Sequence, residues 1–346
     1  MNDKIKVLVV DDSTVMRKLI SDILKNDPQI EVIDTAKTGK EAIEKAKNLK
    51  PDVITLDIEM PEMDGITALK ILRKEVPQTK VIMFSSLTQE GAKATIESLA
   101  LGAYDFVPKP STKSFLESVK KIEQDLIPKI KSVVPLKEIK LIYKPVQITS
   151  KIEKGIYKVC GIGVSTGGPQ TLLKILPKLP PNFPAPILIV QHMPPIFTKQ
   201  LAERLNSLSR LRIKEAEEDE FVKNGVVYIA PGDYHMKIKK ENSLIKIKLY
   251  QGPPRNFCRP SVDELFESLA EVYNGKTLAL ILTGMGNDGK EGAKKIKEKG
   301  GVVLAQDAES SVVFGMPKAV IEEGLADEVI NLSKISERLK DLFGCN

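Results

Sequence analysis

Across residues 1–125, short runs of apolar and β-branched residues alternate with stretches in which apolar side chains recur every third or fourth position. The runs at 6–10, 31–35, 52–56, 80–84 and 104–107 predict strands, and their near-continuous apolar character predicts cover on both faces. Val15, Met16, Leu19, Ile20, Ile23 and Leu24 share one helical face, so a helix with one buried side follows the first strand. Five such strand and helix pairs predict a doubly wound α/β domain with a parallel sheet. The alternation resumes from residue 155, with strands at 157–162, 186–190, 226–229, 278–282 and 302–305. Between them, alternating Ile and Lys on either side of Asn242-Ser243 predict a β-hairpin over 237–249. The second domain, 155–346, therefore reads as a mostly parallel, doubly wound α/β sheet with a hairpin insert.

The segment between the two, 126–154, loses this periodicity. It carries seven lysines against two glutamates and is interrupted by Pro128, Pro135 and Pro145, which predicts a semi-rigid linker. Because the chain's net charge of +6 concentrates there, neither domain presents a broad basic face, and the sequence offers no nucleic-acid-binding output. Cys160, Cys258 and Cys345 are widely spaced and suggest neither a disulfide framework nor a zinc site. With no signal-peptide pattern and no long apolar run, a soluble cytoplasmic protein working as a monomer is expected, without membrane insertion.

In doubly wound sheets, chemistry collects at the carboxyl ends of strands. In the first domain those ends carry Asp11 and Asp12, Asp57, Ser85 and Ser86, and Lys109. Each aspartate alone would serve as a helix cap or turn residue. Three carboxylates converging from separate strands instead repel one another unless a hard cation sits among them, and oxygen-only ligation suits Mg²⁺. A lysine and a hydroxyl beside the ion would bind phosphate oxygens.

In the second domain, Gly161-Ile-Gly-Val-Ser165-Thr166-Gly-Gly168 joins a strand to a helix. Such a turn exposes a serine hydroxyl beside free backbone N–H groups, and it equally suits a phosphate or dinucleotide. A dinucleotide site needs an acid about 20 residues on, at the end of the next strand. Here that strand ends in Gln191-His192-Met-Pro194, placing a histidine where it can reach the serine. Thr283-Gly-Met285-Gly-Asn-Asp288-Gly289 forms a third strand-to-helix loop with one clear carboxylate, which alone would read as a helix N-cap. With the other two loops it completes a candidate Ser165, His192 and Asp288 triad. The second histidine, His235, lies outside these strand ends.

Val-Val-Asp11-Asp12-Ser, Leu56-Asp57-Ile-Glu-Met-Pro61-Glu-Met-Asp64-Gly65, Phe84-Ser85-Ser86 and Asp105-Phe106-Val-Pro-Lys109-Pro110 resemble the flavodoxin-like (βα)5 receiver domain of two-component response regulators. That resemblance implies that Asp57 accepts a phosphoryl group and that Asp12, Asp57 and the carbonyl of Glu59 hold Mg²⁺. It further implies that Asp11 assists, with Ser85 as switch hydroxyl, Phe106 as switch aromatic and Lys109 as phosphate-binding lysine. The Ser165, His192 and Asp288 loops, together with Pro231-Gly232-Asp233-Tyr-His235 and Arg259-Pro260-Ser261-Val-Asp263, are similar to the catalytic domain of the CheB family of chemotaxis methylesterases. The order of receiver, basic linker and esterase is also that family's.

The resemblance implies a phosphorylation-activated protein-glutamate methylesterase that hydrolyses glutamate methyl esters on chemoreceptors and deamidates certain glutamines. Oxyanion stabilisation would come from backbone N–H groups of Thr166 and Met285, and the esterase chemistry would need no cofactor. The chemotaxis histidine kinase is the implied phosphodonor, and an unphosphorylated receiver would exclude the substrate helix from the triad. The competing reading is a non-catalytic phospho-switch that binds a partner protein. It would keep the receiver but would not require Ser165, His192 and Asp288 together.

Overall fold

The computed structural model describes residues 4–109, 115–133 and 152–345, which divide into two compact units. The first holds a parallel five-stranded sheet of β1 (Ile5–Val10), β2 (Ile30–Ala36), β3 (Val53–Asp57), β4 (Lys80–Ser85) and β5 (Asp105–Pro108), in the order β2-β1-β3-β4-β5. Helices α1 (Thr14–Lys25), α2 (Gly39–Leu49), α3 (Gly65–Glu75), α4 (Gln89–Ala100) and α5 (Phe115–Val133) connect and cover it. Ser13, Thr38, Asp64 and Thr88 begin the first four helices, each side chain accepting the backbone N–H three residues on. Strand order reverses between β1 and β3, the place where a doubly wound sheet opens a crevice at its carboxyl edge.

Helix α5 corrects the linker boundary expected at residue 126. It continues through Pro128 to Val133, because Leu126, Ile130 and Val133 pack with Ile122 into the core built from Val7, Val9, Ile82 and Val107. Burial of that face outweighs the local break proline introduces. Most of the expected linker lies outside the described residues, as do Pro135 and Pro145 and the Pro110 of the last receiver motif.

The second unit is built on a seven-stranded sheet, ordered β14-β13-β12-β6-β7-β9-β8 with every neighbouring pair parallel. Its strands are β6 (Val159–Val164), β7 (Ile187–Gln191), β8 (Arg212–Glu215), β9 (Val226–Ile229), β12 (Thr277–Ile281), β13 (Val302–Gln306) and β14 (Glu328–Ile330). The pattern predicted five of these. Both unpredicted strands are short edges, β8 with alternating charges and only Ile213 buried, β14 with three residues. The expected hairpin is present as β10 (His235–Glu241) and β11 (Leu244–Tyr250), a separate two-stranded antiparallel sheet.

The helices are α6 (Gly168–Ile175), α7 (Phe197–Leu208), α8 (Val262–Tyr273), α9 (Lys290–Glu298), α10 (Met316–Glu322) and α11 (Leu332–Phe343). Helix α8 lies so close on β6 that a Cβ on Gly163 would stand 2.4 Å from Val262 Cγ1, so only glycine fits there. The same close packing carries the N-terminus of α8 to the carboxyl edge of the sheet.

Candidate functional site

Three adjacent strands, β12, β6 and β7, deliver the three side chains singled out in the second unit. Ser165 follows β6 directly, and its N–H donates to the Thr283 carbonyl beyond β12 at 3.0 Å. Gly167 turns the chain into α6 with φ +77°, a conformation that disfavours residues with a Cβ, and leaves Ser165 ahead of the positive end of the helix. His192 follows β7, and its Nε2 is 2.8 Å from Asp288 Oδ2 in the loop after β12. Among the described residues no hydrogen bond joins the Ser165 hydroxyl to His192. The other ring nitrogen, Nδ1, faces the Cys258 sulfur at 3.5 Å.

The carboxylate of Asp288 is heavily engaged. Besides His192 it accepts from Asn256 Nδ2 at 2.9 Å, Ser261 Oγ at 2.8 Å, the Val262 N–H at 2.7 Å and the Gly289 N–H at 3.1 Å. It does not cap its own helix, whose N-cap is Gly289; it sits at the N-terminus of α8 instead. Burial works to raise its pKa, but the His192 hydrogen bond and charge, with the helix N–H groups, outweigh it and hold Asp288 well below the usual carboxylate range. For His192, burial opposes the cation. The Cys258 and Asp288 groups overcome that opposition and shift the imidazole upward.

His235 is buried, accepts the Ser261 N–H on Nδ1 at 3.2 Å and places Nε2 3.0 Å from the Pro253 carbonyl. Both its ring nitrogens are thereby engaged away from Ser165. Gln191 carries no sequence signal beyond its place next to His192, yet its amide donates to the carbonyls of Ser165 and His192 at 3.0 and 3.1 Å. Asn256 and Cys258 carry no sequence signal, and Ser261 stands in the Arg259-Pro260-Ser261-Val-Asp263 motif without an assigned role, because their partners lie at least 27 positions away in the chain. Backbone N–H groups of Thr166 and Met285 donate to no acceptor among the described residues, and the Met285 side chain is exposed.

In the first unit Asp11, Asp12 and Asp57 bring one carboxylate oxygen each within 4.8 Å of one another. Asp11 and Asp57 are buried and Asp12 is exposed. Lys109 Nζ lies 2.7 Å from Asp57 Oδ2 and 3.5 Å from Asp11 Oδ2, and the latter oxygen has no hydrogen-bond partner among the described residues. The Glu59 N–H donates to Asp57 Oδ1 at 3.3 Å. Burial raises the Asp57 pKa to about 6; Lys109 opposes that rise and Asp11 adds to it. A buried carboxylate oxygen that no hydrogen bond satisfies among the described residues, in an all-oxygen cluster, fits a hard cation such as Mg²⁺.

Ser85, at the end of β4, is buried and donates to the Gly91 carbonyl on α4 at 3.0 Å, away from Asp57. Phe106 is buried with Lys129 Nζ 5.3 Å from its ring centroid, so a lysine of the expected linker belongs to this domain. Arg17 was also without a sequence signal; its guanidinium donates to the carbonyls of Asp11 and Asp12 at 2.7 and 2.9 Å, steadying the acidic loop.

No helix among the described residues is long and apolar enough to cross a membrane. Residues 7–120 match the family model of the response regulator receiver domain, and residues 160–339 match that of CheB methylesterase. A protein-glutamate methylesterase/protein-glutamine glutaminase of Thermotoga maritima is 51% identical over 99% of this chain and 100% of its own length. A protein of the same name from Archaeoglobus fulgidus is 48% identical over 96% of this chain and 97% of its own. The crystal structure of the Thermotoga maritima CheB methylesterase catalytic domain superposes with a TM-score of 0.52 at 56% identity, covering 53% of this chain and 97% of that one. With a receiver ahead of a matching esterase domain and full-length relatives at this identity, the chain belongs to the CheB methylesterase family.

Proposed function

We propose that this chain is a phosphorylation-regulated protein-glutamate methylesterase and protein-glutamine glutaminase of chemotaxis, acting in the cytoplasm on the glutamyl side chains of chemoreceptors. The observation that carries this reading is the His192 Nε2 to Asp288 Oδ2 contact of 2.8 Å, set on strands flanking the one that presents Ser165. Ser165 Oγ attacks the γ-carbonyl carbon and passes its proton to His192 Nδ1, the nitrogen turned away from Asp288. Asp288 keeps the other nitrogen protonated and stabilises the imidazolium as it forms.

The tetrahedral oxyanion accepts hydrogen bonds from the N–H groups of Thr166 and Met285, neither of which has a competing acceptor among the described residues. His192 returns its proton to the methoxy oxygen, methanol leaves, and a water activated by the same histidine hydrolyses the acyl-enzyme. On a glutamine, ammonia leaves in place of methanol.

Control enters at Asp57, the phosphoryl acceptor. Asp12, Asp57 and the Glu59 carbonyl would hold Mg²⁺ with Asp11 assisting, and the ion would supply positive charge opposite the phosphoryl oxygens. Lys109 binds a phosphoryl oxygen, and Ser85 exchanges its bond to Gly91 for one to the phosphoryl group while Phe106 repacks. The chemotaxis histidine kinase supplies the phosphoryl group. The test is methanol release from methyl-esterified receptor membranes with and without a small-molecule phosphodonor. A rate that rises with donor in the wild type but not in Asp57→Asn supports this reading; no methanol from either protein overturns it.

A further inference from the structure

Cys258 stands in the esterase centre without a task in the hydrolysis above. It closes a tight turn in which Arg255 and Cys258 exchange backbone hydrogen bonds of 3.0 and 2.9 Å, leaving Phe257 wholly exposed at its tip. Its sulfur lies 3.5 Å from Nδ1 of His192, while Asp288 occupies the opposite nitrogen at 2.8 Å. Tetrahedral zinc binds thiolate sulfur at about 2.3 Å and imidazole nitrogen at about 2.0–2.1 Å, which sets the two ligand atoms roughly 3.5 Å apart. Metal-bound histidines characteristically carry a carboxylate on their second nitrogen, the position Asp288 holds here. The imidazole is 12% exposed and Cys258 is half-buried, so an ion can enter from solvent.

We propose that Cys258 and His192 form a binding site for a thiophilic divalent cation, Zn²⁺ or Cd²⁺, with Asp288 orienting the imidazole, and that occupancy blocks the esterase. Binding makes one metal–sulfur and one metal–nitrogen bond, releases the thiol proton to solvent and leaves the remaining positions to water. A hard ion such as Mg²⁺ prefers the oxygen cluster of Asp11, Asp12 and Asp57, so the two sites sort cations by ligand softness. Blocking rests on the proposed use of Nδ1 by Ser165; metal binding does not.

The test titrates the reduced, full-length protein with Cd²⁺ and follows the ultraviolet cadmium–thiolate charge-transfer band. One equivalent should produce the band in the wild type, in Ser165→Ala and in Cys345→Ser, and none should appear in Cys258→Ser. His192→Gln, which alters the other ligand, should weaken binding, and Asp288→Asn should weaken it about 10–100-fold. Zn²⁺ should inhibit methanol release by the wild type, reversibly on chelation, and should spare whatever activity Cys258→Ser retains. An undiminished band in Cys258→Ser, or its absence from the wild type, overturns the site. Binding to the wild type without inhibition refutes the blocking and, with it, the transfer of the Ser165 proton to Nδ1.

Discussion

The side-chain amide of Gln191 donates to the backbone carbonyl of Ser165 at 3.0 Å, tying the last residue of β7 to the turn that follows β6. The same nitrogen reaches the His192 carbonyl, so one buried group fixes the backbones that carry two proposed catalytic side chains. Replacing Gln191 by methionine keeps the bulk and removes the donor. Losing it costs about 1–3 kcal/mol, partly offset because the buried Oε1, which has no hydrogen-bond partner among the described residues, is removed as well. Methanol release should fall tenfold or more, by analogy with small misplacements in other active sites, while the unfolding midpoint changes little. Unchanged kcat in a clearly destabilised variant would make Gln191 a purely structural residue.

Ser165→Ala and His192→Ala should each lower ester hydrolysis by several orders of magnitude while leaving phosphorylation of Asp57 intact. His235→Ala should act differently, because His235 spends both nitrogens on Ser261 and Pro253. Its loss leaves the Ser261 N–H unpaired in a buried site and should cost about 1–3 kcal/mol of stability, with a smaller loss of activity than His192→Ala. Kinetics and urea unfolding of the three variants, side by side, check this ordering. A more severe kinetic defect in His235→Ala would invalidate the assignment of His192.

Asp288→Asn should lower kcat by about three to four orders of magnitude, the scale seen when a triad acid loses its charge and the histidine its tautomer. Asparagine also brings an NH₂ donor against donors, since Val262 N–H, Ser261 Oγ and Asn256 Nδ2 all point at this carboxylate. The variant should therefore lose stability as well. If it melts like the wild type and retains most of its activity, Asp288 is neither the orienting acid nor the anchor of α8.

How much of this was legible in the sequence depended on distance along the chain. The strands whose residues are apolar throughout declared themselves, and Asp57 and Ser165 stand at the strand ends where the pattern put them, because each candidate residue adjoins its strand in sequence. The edge strands β8 and β14 did not, since exposure permits charged residues in β8 and shortness conceals β14. Nor did the end of α5: Pro128 reads as a breaker locally, and only the packing of Ile130 and Val133 overrules it. Asn256, Ser261 and Cys258 meet Asp288 and His192 only because α8 settles on β6, a packing decision that no local pattern encodes.

Removing divalent cations, or substituting Asp57→Asn, should abolish labelling by a radioactive small-molecule phosphodonor. Lys109→Ala should keep the acidic cluster while removing the cation 2.7 Å from Asp57, and should weaken the response to phosphorylation. Acid-labile label persisting in Asp57→Asn would place the phosphoryl group elsewhere.

Acid should loosen the hairpin from α8 through Glu264. Burial pushes this carboxyl up, but Lys237, the Tyr250 hydroxyl at 2.6 Å and Arg255 at 3.1 Å outweigh that and bring its pKa down to about 2, from an ordinary 4.5. Because the folded value is the lower one, the charged form stabilises the fold fully above 4.5, and that contribution disappears as pH falls toward 2. Glu264→Gln lacks the charge at every pH. Urea unfolding at a series of pH values should therefore show the variant less stable than the wild type near neutrality, with the gap closing between pH 4.5 and 2. Since α8 also presents Val262 to Asp288, methanol release by Glu264→Gln should fall modestly in step with its stability. A stability gap that stays constant down to pH 2 would show that Glu264 contributes through packing and not through its charge.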